Sequence, residues 1–174
     1  MSDLRGLTPG MFGLTQIRGP VGLFIRLGQV CVGDASRYTH AFIVLDDETV
    51  LEAQPWGATI SPLSKFDDGR TVAASWAIRL TPAERAEVVR VARDFVGARY
   101  GFSAYAHLAL ATFGINHPRL TAYLAVNRRL ICSQLVDQIY FLAGVHLFDD
   151  GRAHFDVTPG DLANRLIERD WSQR

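Results

Sequence analysis

The hydrophobic pattern of the chain changes period near residue 80. Before that point, "YTHAFIVL" (Tyr38–Leu45) and "TVLEAQ" (Thr49–Gln54) are rich in β-forming residues and predict two strands. "ATISPL" (Ala58–Leu63) predicts a third short strand. The stretch "TVAASWAIRL" (Thr71–Leu80) has the two-residue period of a half-buried strand. The residues it places on one face are Val72, Ala74, Trp76 and Ile78.

The second part of the chain has the period of helices. Thr81 followed by Pro82 and Glu84 is typical of a helix start. An apolar face follows, formed by Val88, Val89, Ala92, Phe95 and Val96, and we expect this helix to end near Gly97. Further helices are predicted over Val21–Val32, over Ser103–Phe113, from Cys132 to Gly144, and in "TPGDLANRLIER" near the C-terminus. Strands followed by helices predict a single α+β domain spanning residues 1–174.

The first two strands are predicted to form a hairpin. If the loop consists of Asp46, Asp47 and Glu48, then Phe42 faces Glu52 and His40 faces Gln54. Side chains alternate between the two faces of a strand, so His40, Glu52 and Gln54 share one face, with Glu52 diagonal to His40. A loop one residue longer or shorter would move Glu52 to the face of the sheet opposite His40.

Composition excludes several function classes. The 18 basic residues equal the 18 acidic residues, which argues against a general nucleic-acid binder. Only one basic residue, Lys65, is a lysine, which we attribute to genome composition. The longest apolar run, Val21–Val32, is interrupted by Arg26 and Gln29 and is too short to span a bilayer. The N-terminus lacks the pattern of a secretory signal, so we expect a cytoplasmic protein without stable membrane insertion.

Cys132 is the candidate nucleophile because it falls where an apolar helix is predicted to begin. A helix N-terminus and a nearby imidazolium both stabilise a thiolate, and together they lower a cysteine pKa from about 8.5 to roughly 3.5–7.5. His40 can supply that imidazolium if Glu52 orients its ring and favours the protonated form. Cys31 has no histidine nearby in the sequence and is predicted to be structural.

These residues resemble the papain-like cysteine hydrolases of the NlpC type, in their circularly permuted branch. In that branch the histidine strand precedes the cysteine helix, as "THAFIVLDDETVLEAQPWG" precedes "CSQLV" here. The resemblance covers roughly Tyr38 to Asn164. It implies an antiparallel sheet packed against helices, with Cys132 as nucleophile, His40 as base and Glu52 as the residue that orients it. "VGARYGF" resembles the family's Gly-x-x-Tyr segment.

Other candidate residues have an alternative, structural interpretation. Tyr100, in that Gly-x-x-Tyr segment, is expected either to donate to substrate or oxyanion or to pack in an aromatic cluster. Gln54 is the alternative partner of His40. Trp56 is interpreted as a core residue rather than a residue over the site.

Ser133 is expected to be a first-turn helix residue, and Arg128 and Arg129 to form a solvated face. The remaining histidines, which lack metal-ligand spacing, are His107, His117, His146 and His154.

The resemblance predicts a cysteine-dependent hydrolase that cleaves an amide or ester through a thioester, without metal or cofactor. A cell-wall peptide is the implied substrate, reached by a route other than a secretory signal. Acyl transfer and lipid-directed hydrolysis are alternatives on the same fold, so small peptide, acyl and lipid substrates are all expected. A catalytically inactive binding module is the alternative from another class. The sequence leaves the oligomeric state open.

Overall fold

The structure is a computed structural model of the 174-residue chain. It describes residues 6–19, 36–54, 56–68, 72–76, 78–98 and 132–167, together with residues 4, 22, 23, 26, 29 and 30. The predicted helix over Ser103–Phe113 and most of that over Val21–Val32 lie outside these residues. The five described residues of the latter segment are helical. Tyr100, Cys31, Arg128, Arg129, His107 and His117 also lie outside them.

Among the described residues, five strands form one antiparallel sheet in the order β4-β3-β2-β1-β5. The strands are β1 (Phe12–Thr15), β2 (His40–Val44), β3 (Thr49–Gln54), β4 (Gly57–Pro62) and β5 (Ala73–Ala74). The described helices are α1 (Pro82–Asp94), α2 (Cys132–Leu142) and α3 (Pro159–Ile167), with 3-10 helices at Leu63–Phe66 and His154–Asp156. The predicted α+β class is therefore confirmed.

The β2–β3 hairpin has the predicted register, with Phe42 opposite Glu52. Its tight closure comes from Asp46, whose Oδ1 accepts hydrogen bonds from the backbone N–H groups of Glu48 (3.1 Å) and Thr49 (2.7 Å). An aspartate that bonds the backbone two or three residues ahead stabilises a turn of this kind. The three-residue loop therefore places Glu52 on the same face of the sheet as His40.

The sheet separates two hydrophobic clusters because successive side chains of β2 and β3 point to opposite faces. On one face, Ala41, Ile43 and Leu51 pack with residues of α1, α2 and α3. On the other face, Phe42, Val44 and Val50 pack with Leu63 and Phe66 of the first 3-10 helix. Both faces of the central strands are thus covered, and the site residues sit in a buried sheet.

Gly13 of β1 is required by the packing of Phe42 on the neighbouring strand. A Cβ atom at Gly13 would lie 2.3 Å from Cζ of the Phe42 ring. No side chain can be accommodated at that distance, so the absence of one lets the ring lie against the β1 backbone. The Phe42 ring, two residues after His40, is thereby held in place beside Phe66.

The helix ends agree with the predicted capping residues. Thr81 and Glu84 form a reciprocal capping box at the start of α1. At the end of α2, Gly144 has a φ of +81°. Its N–H donates to the carbonyl of Phe141 (3.0 Å), while the N–H of Val145 donates to the carbonyl of Tyr140 (2.9 Å). This is the Schellman arrangement, in which a glycine adopts the left-handed conformation that other residues avoid.

The predicted strand over Thr71–Leu80 is wrong beyond Ala74. The chain turns there, with Trp76 N–H donating to the Ala74 carbonyl and Ile78 N–H donating to the Ser75 carbonyl. Ser75 also uses its Oγ to accept from Phe12 N–H (3.0 Å), which ends the ladder with β1. Ile78 is buried as expected, but Trp76 is exposed, because the two-residue alternation stops at the turn.

The predicted apolar face of α1 is correct at Val88 and Ala92 and wrong at Val96. Val88, Val91 and Ala92 are buried, whereas Val96 is exposed because it lies in the turn that follows the helix. No helix among the described residues combines the length and the apolar character needed to cross a membrane.

Replacing Tyr140 with phenylalanine is expected to destabilise the protein by about 1–2 kcal/mol. The buried Tyr140 hydroxyl donates a 2.6 Å hydrogen bond to the Gly10 carbonyl, and its ring meets Phe12 edge-on at 5.7 Å. Tyr140→Phe keeps the ring packing but leaves that carbonyl without its donor. Urea denaturation measures the loss, and an unchanged free energy of unfolding would show that the bond adds no net stability.

Candidate active site

His40 and Glu52 are in direct contact across the hairpin. Nε2 of His40 lies 2.8 Å from Oε2 of Glu52, and both side chains are buried. An ionised carboxylate can only accept hydrogen bonds, so Nε2 carries the proton and donates. The predicted diagonal pairing of these residues is therefore confirmed, and the remaining ring nitrogen, Nδ1, is available to a second partner.

That second partner is Cys132, the first residue of α2. The side chain of Cys132 is hydrogen-bonded to that of His40, the first residue of β2, and α2 packs against β2. The thiol is fully buried, as a structural cysteine would also be. Its pairing with a histidine that is itself held by a carboxylate distinguishes it from an ordinary core cysteine.

The electrostatics of the site favour a protonated His40. Burial acts to lower the pKa of His40, because a charged ring is poorly solvated in the interior. Hydrogen bonds to Cys132 and Glu52, and the negative charges of these side chains, outweigh burial and raise the pKa to about 9. An imidazolium at neutral pH is the state that stabilises a neighbouring thiolate.

Glu52 is held ionised although it is almost completely buried, with an exposed fraction of 1%. Burial acts to raise its pKa, but hydrogen bonds from His40, Lys65 and Ser61 and the charge of His40 lower it to about 2. The two carboxylate oxygens have different partners: Oε2 faces His40, and Oε1 forms an ion pair with Nζ of Lys65. The carboxylate therefore connects the buried histidine to a cation nearer the surface.

The first 3-10 helix, Leu63–Phe66, supplies a wall of the site. The Phe66 ring stacks on Phe42 at 4.3 Å and lies nearly parallel to the His40 ring at 6.3 Å. This helix follows β4 directly and is tied to the hairpin by a 2.7 Å bond from Leu63 N–H to the Glu48 carbonyl. Its adjacent residues Lys65 and Phe66 thus contact the carboxylate and flank the imidazole.

The other predicted site residues are distributed differently. Gln54 is half-buried at the end of β3, and the ring nitrogen of His40 bonds to Glu52 rather than to Gln54. The interpretation of Trp56 as a core residue is wrong: it lies in the β3–β4 turn and is 74% exposed. Ser133 is buried in the first turn of α2, where its Oγ donates to the Val157 carbonyl, in agreement with a helix-packing role.

A second histidine–carboxylate pair joins α2 to the second 3-10 helix, away from the candidate nucleophile. Nδ1 of His154 lies 2.5 Å from Oδ2 of Asp137, and burial raises the pKa of Asp137 against the effect of this contact. Asp137 follows Cys132 by five residues, which places them about 140° apart around a helix. The pair therefore cannot serve Cys132. Within the described part of the chain, no group of three or more histidines, cysteines and carboxylates is placed to bind a metal.

Sequence reasoning missed Lys65, Phe66 and Ser61. Ser61 and Phe66 lie in or just after an ordinary strand pattern, and no signal in the sequence separates them from packing residues. Lys65 could have been singled out from the sequence, because it is the only lysine beside 17 arginines. Genome composition accounts for the arginine bias, and the structure places the single lysine against the buried carboxylate of Glu52.

The chain matches no protein-family model, and no curated protein matches it either.

Proposed function

We propose that this protein is a cysteine-dependent hydrolase that cleaves an amide or ester bond through a thioester intermediate. The observation that carries the proposal is the buried series Cys132–His40–Glu52, in which each member contacts the next. A nucleophile, a base and a residue that orients the base are the minimum set for acyl transfer through a covalent intermediate. A core cysteine needs neither partner.

In the proposed reaction, the thiol proton of Cys132 already resides on His40 as part of the imidazolium, and the thiolate sulfur attacks the substrate carbonyl. The carbonyl oxygen becomes an oxyanion, which backbone N–H groups at the start of α2 can stabilise. Collapse of this intermediate expels the amine or alcohol, which takes the proton from His40, and leaves a thioester. Water then attacks the thioester while His40 accepts its proton. The carboxylic acid leaves, and the Cys132 thiolate and the His40 imidazolium are restored.

Glu52 takes no part in bond making. Its Oε2 bonds to Nε2 of His40, which leaves Nδ1 as the ring nitrogen that exchanges a proton with the thiol. Its negative charge also stabilises the imidazolium formed when the thiol ionises. These two effects are the ones expected of the third member of a triad.

We further propose that the fold is the permuted papain-like arrangement. The support is the order of the elements: a histidine at the start of a strand in an antiparallel sheet precedes a cysteine at the start of a helix that packs on it. On this proposal the substrate is a small peptide, acyl or lipid molecule, with a cell-wall peptide amide as the first candidate. Tyr100 lies outside the described residues, and both its role toward substrate or oxyanion and its alternative role in packing stay predictions.

The pH dependence of thiol alkylation tests the proposed site without knowledge of the substrate. We expect iodoacetamide to modify Cys132 with a midpoint at least one pH unit below the value of about 8.5 for a free cysteine. Burial slows the reagent at every pH, so the midpoint rather than the absolute rate is diagnostic. Mass spectrometry of Cys31→Ser, which retains Cys132, assigns the modified residue. A midpoint near 8.5 for Cys132 would refute the hydrolase.

An activated ester then separates hydrolysis from the alternatives. Incubation with p-nitrophenyl acetate should acetylate Cys132 once, and the protein should return to its original mass as water releases acetate. Faster deacylation on addition of an amine or alcohol would identify an acyltransferase. A protein that is never acetylated would be a binding module and would contradict the proposal.

A further inference from the structure

The ion pair between Lys65 and Glu52 places a fourth residue in contact with the candidate triad. Nζ of Lys65 pairs with Oε1 of Glu52, the oxygen that His40 does not use. The Lys65 side chain is 38% exposed, whereas Glu52 is 1% exposed. Lys65 therefore brings a positive charge from the surface to a carboxylate that is otherwise inside the protein.

With Lys65 included, the site contains four neighbouring groups whose charges alternate in sign. In the reactive state the Cys132 thiolate, the His40 imidazolium, the Glu52 carboxylate and the Lys65 ammonium form a series with zero net charge. Without Lys65, the three buried groups would carry one uncompensated negative charge. Burying an unpaired charge is costly, and the site would relieve that cost by taking up a proton, which weakens either the thiolate or the carboxylate.

The chemical identity of the cation matters because Glu52 must divide its two oxygens between two partners. An arginine presents a planar fork that matches both oxygens of a carboxylate, so it would compete with His40 for Oε2. A lysine ammonium is a compact charge that occupies one oxygen. Lys65 is the only lysine among 18 basic residues, and the other 17 are arginines. The single lysine of the sequence is therefore found at the contact with Glu52.

The position of Lys65 is itself well defined. Nζ lies 5.6 Å from the centre of the Phe66 ring, and the same ring stacks on Phe42 and flanks His40. A cation over an aromatic face is weakly attracted to it. One turn of 3-10 helix therefore carries both the cation and the aromatic ring that flanks the imidazole.

We propose that Lys65 is a positioning residue of the active site, which keeps Glu52 ionised and leaves Oε2 to His40, and that lysine rather than arginine is required there. The inference rests on the function proposed above. It adds a charge on which the reactivity of Cys132 depends, although Lys65 touches neither substrate nor thiol in the proposed reaction.

The test compares Lys65→Met and Lys65→Arg by the pH midpoint of Cys132 alkylation, measured on the full chain. We expect both variants to raise the midpoint by about one pH unit, which slows alkylation about tenfold at pH values below it. Methionine removes the charge, and arginine draws Oε2 away from His40. The matched control is Arg93→Met, which removes a half-exposed cation paired with Asp46 at 3.3 Å and should leave the midpoint unchanged.

Urea denaturation separates a positioning role from a purely structural one. If either variant lowers stability but keeps the wild-type midpoint, the proposal is overturned. Should Lys65→Met fail to fold, Lys65→Gln, which keeps hydrogen-bond donors without the charge, takes its place with the same expected shift. The ¹⁵N shifts of the His40 ring provide an independent readout, and both variants should change them.

The outcome also distinguishes this inference from the proposed function. A low alkylation midpoint in the wild type that both Lys65 variants retain would remove the role of Lys65 and leave the hydrolase intact. A wild-type alkylation midpoint near that of a free cysteine would refute the proposed hydrolase function, and the role of Lys65 would fall with it.

Discussion

Replacing Cys132 with alanine is expected to abolish acylation by p-nitrophenyl acetate and to lower turnover of any substrate by a factor of roughly 10³ or more. The sulfur is the atom that forms the thioester, and no other nucleophile among the described residues contacts His40 in its place. Ser133, the adjacent hydroxyl, donates to the Val157 carbonyl and is directed away from this chemistry.

The alanine variant should remain folded, which makes the result interpretable. Cys132 is a small side chain in the main core, and its truncation costs about 1 kcal/mol, far less than the loss of a large side chain. Cys31→Ser is the control, because Cys31 is predicted to be structural and should retain turnover. Acetylation that persists in Cys132→Ala would place the nucleophile elsewhere and refute the assignment.

Replacing His40 with alanine is expected to move the alkylation midpoint of Cys132 upward, toward about 8.5. The pKa of His40 is raised to about 9, so in the wild type the imidazolium persists through neutral pH and stabilises the thiolate there. Without the ring the thiolate loses this partner, while burial still disfavours it. Acylation by the activated ester at pH 7 should fall by about 10²–10⁴, the usual contribution of a general base.

His154→Ala is the matched control for this experiment. His154 also pairs with a buried carboxylate on α2, but Asp137 is turned away from Cys132, so the midpoint should stay at the wild-type value. His40→Gln serves as a second variant if the alanine variant is unstable, since it better fills the space beside Phe66. An alkylation profile that His40→Ala leaves unchanged would show that the thiol does not depend on the histidine.

Much of the histidine half of the site could be predicted from local sequence. The two-residue period of β2 and β3, together with a loop of three polar residues, defines the register that places Phe42 opposite Glu52. Alternation of side chains then brings Glu52 to the face of His40 without any knowledge of the rest of the fold. The helix starting at Thr81 and the stop at Gly144 were predictable for the same reason, since capping depends on neighbouring residues.

Predictions from the local hydrophobic pattern were wrong where contacts with distant parts of the chain determine the structure. The strand predicted over Thr71–Leu80 ends at Ala74 because Ser75 bonds to Phe12, far away in the sequence. The interpretation of Trp56 as a core residue follows its apolar character, but Trp56 lies in the turn between β3 and β4 and its side chain is exposed. An apolar side chain is more stable when it is buried, but its position in the fold determines whether it can be buried.

The sequence by itself predicted the α+β class and, for a three-residue loop, the hairpin register that pairs His40 with Glu52. Only the tertiary structure joined Cys132 to His40, because that contact requires the apolar face of α2 to pack on the sheet. It alone also placed Lys65 on Oε1 of Glu52, through a 3-10 helix whose direction depends on Leu63 and Phe66 filling the cluster beneath Phe42. Hydrophobic periodicity and helix capping depend on residues close together in the sequence. The charge balance of a buried site depends instead on which distant elements the hydrophobic core brings together.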